Sequence, residues 1–309
     1  MSASVPPVFS RAWLLSETPI SRSQANWVRR YRGWLEFRRN GLAMAGLVTV
    51  CVMIFASLAA PLLTWQDPGA QNLAGRLAAP SAAHWFGTDE LGRDLLTRVL
   101  YGARVSLAIG LVSAAVSVAV GAAVGATAGY AGGWADAALM RLTDAMLSVP
   151  TLPLLMIAAA VLDPGVPLLV LLVGLAGWME TARVVRAEVR SVRARDFVAA
   201  ARAAGAPPPR VVVRHVLPAV LPTAAVATTL AVGRGVLLES ALSFFGVGVQ
   251  PPTPSWGNML YQAQATMASE PWLGVFPGAC IFLVVLCCNV LGERLADAGA
   301  AVDGGHAAG

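Results

Sequence analysis

The 309-residue sequence contains no lysine, so all 22 of its basic residues are arginines. This absence excludes a Walker A loop, because that nucleotide-binding motif needs a lysine to contact the phosphates. If the protein depends on ATP, we expect another chain to bind it. Charged residues are also scarce: they make up 13% of the chain, against about a quarter in an ordinary soluble domain.

Residues that perform chemistry are few and scattered. The three histidines have no nearby nucleophile or ligand set, and the four cysteines lie inside apolar runs, where cysteine behaves as a small hydrophobe. We therefore predict no catalytic residue, metal site or disulfide from them. The arginines flank apolar runs and accompany no recognition motif, so nucleic-acid binding is not expected either. The cysteines are Cys51, Cys280, Cys287 and Cys288, and the histidines are His84, His215 and His306.

Long apolar runs dominate what is present. Hydrophobic residues make up 57% of the chain and the mean hydropathy is +0.65. A bilayer core about 30 Å thick needs roughly 20 apolar residues per helix. The sequence thus predicts an all-α, polytopic membrane protein with about six transmembrane helices. The predicted spans are 41–63, 105–129, 137–161, 166–185, 219–241 and 272–292.

Arginine distribution orients these spans. Seven arginines lie between Arg11 and Arg39, before the first span, and eight lie between Arg183 and Arg214, around the end of the fourth. The positive-inside rule places both groups in the cytoplasm, and an even number of spans separates them. Four arginines between the first two spans, from Arg76 to Arg104, oppose this mildly. We predict a multi-pass protein of the bacterial cytoplasmic membrane with both termini cytoplasmic.

The segments outside the spans divide the chain into four parts. Residues 1–40 are predicted as a cytoplasmic tail, residues 41–100 as the first span with an outer loop, residues 101–296 as the main transmembrane domain, and residues 297–309 as a disordered tail. Within the first part, an interfacial helix is favoured over a disordered basic tail, because aromatic and apolar residues share one helical face. These residues are Trp27, Tyr31, Trp34 and Leu35.

Glycines recur every four residues in the second span. Gly121, Gly125 and Gly129 share one helical face, which would let another helix backbone approach closely. In an Ala/Gly-rich chain any one of them could be incidental. Three in register favour a packing face.

The segment DFVAAARAAGAPPPRVVVRHVLPAVLP, residues 196–222, cannot lie in lipid. Burying the eight arginines from Arg183 to Arg214 would cost on the order of 20 kcal/mol. Helix propensity predicts a short helix from Phe197 to Ala204, with Asp196 as N-cap and Gly205 as its stop, followed by three prolines that bend the chain. So short a helix needs a packing partner.

This segment resembles the EAA loop of binding-protein-dependent ABC importer permeases. Alignment on Gly205 places the EAA tripeptide at Ala199, Ala200 and Ala201, and the later Leu-Pro at Leu217 and Pro218. Alanine at 199 replaces the acidic residue of the family. An ion pair with the ATPase through that position is therefore not expected here, and shape, Asp196 or nearby arginines would have to carry the docking.

Two other stretches are similar to the dipeptide, oligopeptide and nickel branch of these permeases. HWFGTDELGRDLLTRVLYGARVSL, residues 84–107, contains the GTDxxGRD signature, and LESALSFFGVGVQPPTPSWGNML, residues 238–260, matches a second stretch. The resemblance covers about residues 84–295. The amino-terminal segment looks like that of the C-type subunit of a two-permease pair.

The resemblance implies a permease subunit with the type I ABC importer fold and without its own ATPase site. It implies a heterodimer with a second permease, two ATPase subunits that bind ATP and Mg²⁺ and receive the coupling helix, and an extracytoplasmic substrate-binding protein. Peptides are the default substrate, with nickel or another small solute as alternatives. An ion-coupled secondary transporter is a further alternative, but the sequence shows no convincing inverted repeat.

Charged residues near the spans allow structural and functional interpretations. In GTDELGRD, we expect Asp89, Arg93 and Asp94 to satisfy one another and to cap the next helix, with the binding protein as the favoured contact over a direct substrate or cation contact. Arg141 and Asp144 have the i, i+3 spacing of a local ion pair near Asp136.

Arg234 and Glu239 lie in the fifth predicted span, where a lipid-facing charge is costly. They are about 140° apart around a helix, so each needs a partner on another helix. We predict that both belong to the translocation path; a purely structural buried pair is the alternative for Arg234.

Overall fold

The computed structural model describes Trp13, residues 21–162 and residues 165–304. In these residues the regular structure is helical apart from one bridge between Thr88 and Asp94. Most of residues 1–20 in the predicted tail, and residues 305–309, lie outside the described part. The helices are α1 (Arg22–Arg39), α2 (Gly41–Leu58), α3 (Ala60–Leu63), α4 (Leu95–Ala131), α5 (Gly133–Leu147), α6 (Thr151–Leu162), α7 (Val166–Leu175), α8 (Trp178–Arg193), α9 (Asp196–Ala203), α10 (Pro208–Val211), α11 (Leu217–Phe244), α12 (Trp256–Ala263) and α13 (Trp272–Gly304).

Four helical stretches are long and apolar enough to cross a membrane: α2, α4, the continuous stretch Pro208–Phe244 and α13. The number rises to six if the bent pairs α5–α6 and α7–α8 each count as one span. The predicted six spans therefore all have a helical counterpart.

The predicted third and fourth spans are not continuous helices. The chain bends by 78° between α5 and α6 and by 43° between α7 and α8. Pro150 lies in the first break, where it can donate no backbone hydrogen bond and disfavours helical geometry in the residue before it. Hydropathy alone missed these breaks because each pair is apolar on average across its break.

The last helix also differs from the prediction. Helix α13 continues through Gly304, so residues 297–304 are helical and the disordered tail predicted there is wrong. Arg294 and Asp297 form an i, i+3 ion pair on this helix at 2.9 Å, which supports the continuation.

Helix α4 is the centre of the bundle. Its 37 residues make it about 55 Å long, and it packs against α2, α7, α8 and α11. Helix α11 in turn packs against α13, which contacts α2 and α1. Every long helix is thus connected to α4 directly or through one neighbour.

Small residues allow the closest of these helix contacts. A Cβ atom at Gly121 would lie 2.6 Å from the carbonyl oxygen of Trp178, and one at Gly129 would lie 2.8 Å from that of Arg186. Gly125 meets the carbonyl of Ala182 on the same face. The predicted glycine face on the second span is confirmed, and its partner is α8.

The amino-terminal helix α1 is also confirmed as a helix. Trp27 and Trp34 are exposed on it, whereas Phe37 is buried in a cluster with Ala43 and Leu291. One side of α1 is therefore anchored to α2 and α13. The membrane-interface position of its exposed aromatics remains a prediction.

The α4–α8 contact predicts that Gly121→Ala destabilises the protein by about 1–3 kcal/mol, because the added methyl group overlaps the backbone of α8. Gly278→Ala is the matched control, since a Cβ at that helical glycine meets nothing within 4 Å. It should be neutral or stabilising by roughly 0.5–1 kcal/mol. Thermal unfolding of the detergent-solubilised protein measures both, and equal midpoints would contradict the packing role.

Candidate functional site

The short helix predicted at the arginine-rich segment is α9, which begins and ends almost where expected. It begins one residue earlier than predicted: Arg195 occupies the N-cap position, and Asp196 is the first helical residue. The prediction of Asp196 as N-cap is therefore wrong, although its carboxylate still lies at the favourable end of the helix dipole. Gly205 has φ of +80°, and the amide of Ala206 donates to the carbonyl of Ala201 at 3.1 Å, which ends the helix.

A cluster of buried valines holds α9 in place. Val198, the one buried residue of α9, packs with valines of α8, of α10 and of the π-helical turn Val212–Val216 that leads into α11. Ala201 packs against the edge of this cluster. The cluster consists of Ala126, Val185, Val189, Val192, Val198, Val211, Val216 and Val220. We call it the valine cluster.

Two arginines add a second attachment. The guanidinium groups of Arg193 and Arg202 lie 5.8 Å and 5.2 Å from the ring centre of Tyr130, at the end of α4. Both distances suit a cation–π contact. The end of α4 is thereby connected to α8 through Arg193 and to α9 through Arg202.

The remaining surface of α9 is exposed and largely apolar. Phe197, Ala199 and Ala200 are exposed, as are Leu217 and Pro218 at the start of α11. The ring of Phe197 lies 6.3 Å from that of His215. Ala199, which replaces the acidic residue of the EAA pattern, therefore lies on the exposed side of the helix.

The prolines after Gly205 begin a helix as well as ending one. Pro207 is the N-cap of α10, and Pro208 and Pro209 occupy its first turn, where a missing N–H costs nothing. Helix α10 continues through the π turn into α11. The segment predicted to return to the membrane is thus one helical stretch, Pro208–Phe244.

The predicted local pair between Arg141 and Asp144 is wrong. Asp144 accepts a hydrogen bond from Arg183 of α8 at 2.5 Å. Asp136 accepts two from Arg186, one of them at 2.6 Å and the other through Nε. Helix α8 packs beside α5, so its guanidinium groups reach these carboxylates in better geometry than a residue on the same helix.

The loop between α3 and α4, residues 64–94, is compact. The hydroxyl of Thr88 donates to the carbonyl of Gly75 at 2.6 Å and accepts from the amide of Ala78 at 2.8 Å. Gly92 has φ of +70°, and a Cβ there would collide with the carbonyl of Asn72. GTDELGRD therefore forms a tight turn that packs against the earlier part of the loop.

Asp89 is the electrostatic centre of this loop. Its Oδ2 accepts from Arg93 Nε at 2.7 Å and lies 3.4 Å from Nε of the buried Arg98. Both guanidinium groups also donate to Oε1 of Gln262 on α12. The predicted pairing of Asp89 with Arg93 is confirmed, but Arg98 and Gln262 were not anticipated. Gln262 is 169 residues from Arg93 and 164 from Arg98, a separation at which a helical period reveals no contact.

Asp94 is the N-cap of α4, as predicted. Its Oδ2 accepts from the amide of Thr97 at 2.8 Å, and its Oδ1 lies 2.9 Å from Nδ1 of His84. The carboxylates of Asp89 and Asp94 are thus both occupied by donors from this chain, which favours the structural interpretation of GTDELGRD.

As predicted, Arg234 and Glu239 do not pair with each other. Their surroundings are very different. Arg234 pairs with Glu180 of α8, and the two side chains are 44% and 54% exposed. They lie at the rim of a cavity between α4, α8 and α11. Glu180 was missed because the sequence does not show which faces of α8 and α11 meet.

Glu239 is fully buried, at 0% exposure. Its carboxylate contacts the hydroxyls of Ser106 at 2.9 Å, Ser243 at 2.9 Å and Ser240 at 3.3 Å. The hydroxyl of Ser106 also accepts from the amide of Trp256 at 3.2 Å. This network joins α4, α11 and α12 and encloses Glu239, whose predicted place in the translocation path stays a prediction.

The fold defines the class as an all-α, multi-pass membrane protein. A short helix, α9, is held by packing outside its apolar spans. Residues 121–298 match the family described as binding-protein-dependent transport system inner membrane component. Residues 31–80 match the N-terminal TM domain of oligopeptide transport permease C.

Curated relatives cover most of the chain. It is 38% identical to the dipeptide transport system permease protein DppC of Alkalihalophilus pseudofirmus over 85% of this chain and 86% of that protein. It is 34% identical to the oligopeptide transport system permease protein OppC of Bacillus subtilis, over 85% and 87%. It is 38% identical to the glutathione transport system permease protein GsiD of Shigella flexneri, over 93% and 95%.

The chain therefore belongs to the binding-protein-dependent transport system inner membrane components. The resemblance drawn from the EAA-like, GTDELGRD and LESALSFFG stretches is confirmed, including its assignment to the C-type permeases of peptide ABC transporters.

The Asp89 network predicts that Asp89→Asn destabilises the protein by about 3–5 kcal/mol, because it removes the counter-charge of two buried guanidinium groups. Glu90→Gln is the matched control, since Glu90 is the exposed neighbour. It should change stability by less than about 0.5 kcal/mol. Thermal unfolding in detergent distinguishes them, and a similar loss in both variants would count against the network.

Proposed function

We propose that the protein is the membrane-spanning permease subunit of an ATP-driven importer that carries dipeptides or oligopeptides into the cell. Helix α9 is the observation that carries this proposal: it is clamped to the transmembrane helices on one side and presents an apolar surface on the other. The names of the relatives favour peptides over nickel or another small solute.

The partner subunits are inferred from the absence of lysine and from the exposed surface of α9. Without a lysine it has no phosphate-binding Walker A residue, so two separate ATPase subunits bind ATP and Mg²⁺. A groove on one of these subunits receives α9. A second permease subunit completes the pathway as a heterodimer, and an extracytoplasmic binding protein delivers the substrate.

Coupling is mechanical in this proposal. An isolated eight-residue helix is unstable in water, but the valine cluster ties α9 to α8 and to the Pro208–Phe244 stretch. Movement of the docked ATPase subunits would then shift these helices as rigid bodies, and the spans would alternate between inward and outward openings. The coupling surface comprises Asp196, Phe197, Ala199, Ala200, Ala201, Gly205, Leu217 and Pro218.

The orientation in the bacterial cytoplasmic membrane follows the arginines. The clusters before α2 and around α9 lie on the cytoplasmic side, which places both termini in the cytoplasm. The 64–94 loop then faces outward, and the exposed surface that covers the buried Asp89, Arg93 and Asp94 would meet the binding protein.

Reconstitution of the whole assembly in proteoliposomes tests the function. With the binding protein outside and ATP inside, a labelled dipeptide such as Ala-Ala should accumulate in the lumen, and accumulation should stop without ATP. Uptake that needs only an ion gradient would support a secondary transporter. An assembly that accumulates Ni²⁺ but no peptide would overturn the peptide assignment.

The coupling surface predicts that Phe197→Ala weakens association with the ATPase subunits by roughly 30-fold, or about 2 kcal/mol, because an exposed aromatic is a typical interface anchor. Phe245→Ala is the matched control: it is similarly exposed, at 51% against 44%, but lies at the opposite end of α11 from α9. Binding of the purified ATPase subunits to the permease pair measures this. Equal affinities for the two variants would exclude Phe197 as an anchor.

A further inference from the structure

A cavity of about 90 Å³ lies between α4, α8 and α11, and the Arg234–Glu180 pair lies at its rim. Its polar lining comprises Ser113, Ser117, Glu180, Thr181 and Arg234, and the rest is apolar. This volume is too small for a whole peptide but is sufficient for a charged end group with a few waters.

One polar group in this cavity has no partner. The side chain of Ser117 is only 3% exposed, and its hydroxyl makes no hydrogen bond within the described residues. Buried hydroxyls are almost always hydrogen-bonded, because leaving one unsatisfied is costly. Because the hydroxyl oxygen itself is closed off, the Ser117 side chain would turn toward the cavity for a ligand atom to supply the missing partner.

The amino terminus of α8 opens onto the same cavity. The bend between α7 and α8 leaves Gly177 as the N-cap of α8, with no side chain capping the helix, and Gly177 and Thr181 both line the cavity. The positive end of a helix dipole and an arginine together attract a carboxylate. At present the Glu180 carboxylate occupies this position beside Arg234.

We propose that this cavity is a transit site for the charged end groups of a peptide, which rests on the peptide import proposed above. The carboxylate of the peptide replaces that of Glu180 on Arg234 and accepts a hydrogen bond from the Ser117 hydroxyl. Glu180, once released, pairs at the rim with the ammonium group of the same peptide, so only the carboxylate end occupies the cavity. The site is neutral and so is a zwitterionic peptide, so the exchange leaves no net charge uncompensated.

The exposure of the pair suits an exchange of partners. About half of each side chain is uncovered by the rest of this chain, so Arg234 and Glu180 have room to change partners, and their separation costs little where water fills the cavity mouth. A peptide carboxylate that accepts two parallel hydrogen bonds from the Arg234 guanidinium group offsets the free energy lost when Glu180 leaves. By contrast, Asp136 is mostly buried in its pair with Arg186, which suits a permanent helix contact.

Uptake of labelled Ala-Ala by the reconstituted assembly, with saturating binding protein and ATP, tests the proposal. Arg234→Gln should lower the maximal uptake rate about 10- to 100-fold, the effect of losing one charge-assisted hydrogen bond. Arg183→Gln is the matched control, because its pair with Asp144 is similarly exposed, at 51% and 52%, and lies on the same α8 but away from the cavity. It should retain the wild-type rate.

Two further variants separate substrate contact from a structural ion pair. Exchanging the charges, with Arg234→Glu and Glu180→Arg together, restores the pair but presents the wrong geometry to the peptide, so uptake should remain low. Ser117→Ala leaves the pair intact and should still lower uptake several-fold. Thermal unfolding and ATPase-subunit binding of each variant report whether it is folded.

The outcomes distinguish this inference from the function on which it rests. A wild-type assembly that imports no Ala-Ala would refute peptide import itself. If the wild type imports it, then wild-type uptake by folded Arg234→Gln, by Ser117→Ala, or by the charge-exchanged variant would overturn the transit site.

Discussion

The valine cluster is the contact on which the rest of this architecture depends. Helix α9 has only eight residues and buries a single side chain, Val198, so its position is set by its neighbours. Those neighbours belong to α8 and to the first part of the Pro208–Phe244 stretch, which includes α10. Because interiors are close-packed, the valine cluster joins α9 and the helices around it into one packed unit.

Close backbone contact and helix breaks have complementary roles. The glycine face of α4 brings α8 against it, so these two helices form a tight unit. The bends at α5–α6 and α7–α8 interrupt the apolar spans beside that unit. A broken helix exposes backbone ends that a continuous one would satisfy internally, which is why such breaks suit polar sites in membrane proteins.

Charged groups occur in two distinct environments. Glu239 and Arg98 are fully buried, and each has a hydrogen-bond partner on another helix, Ser106 of α4 for Glu239 and Gln262 of α12 for Arg98. Arg234 and Glu180 are half exposed at a cavity. A buried ionisable group depends on its hydrogen-bond partners because desolvation is expensive, whereas the Arg234–Glu180 pair is only partly covered by this chain.

The sequence by itself determined the helical class, the number of apolar segments, the glycine face of α4 and the short helix ended by Gly205. These follow from local propensity, periodicity and the cost of placing arginine in lipid. Only the tertiary structure decided that Arg234 meets Glu180, that Asp144 meets Arg183, and that Glu239 is enclosed by serines. Glu180, Arg183 and Ser106 each lie on a different helix from the residue they meet, and a pattern along one chain does not encode which faces of two helices come together.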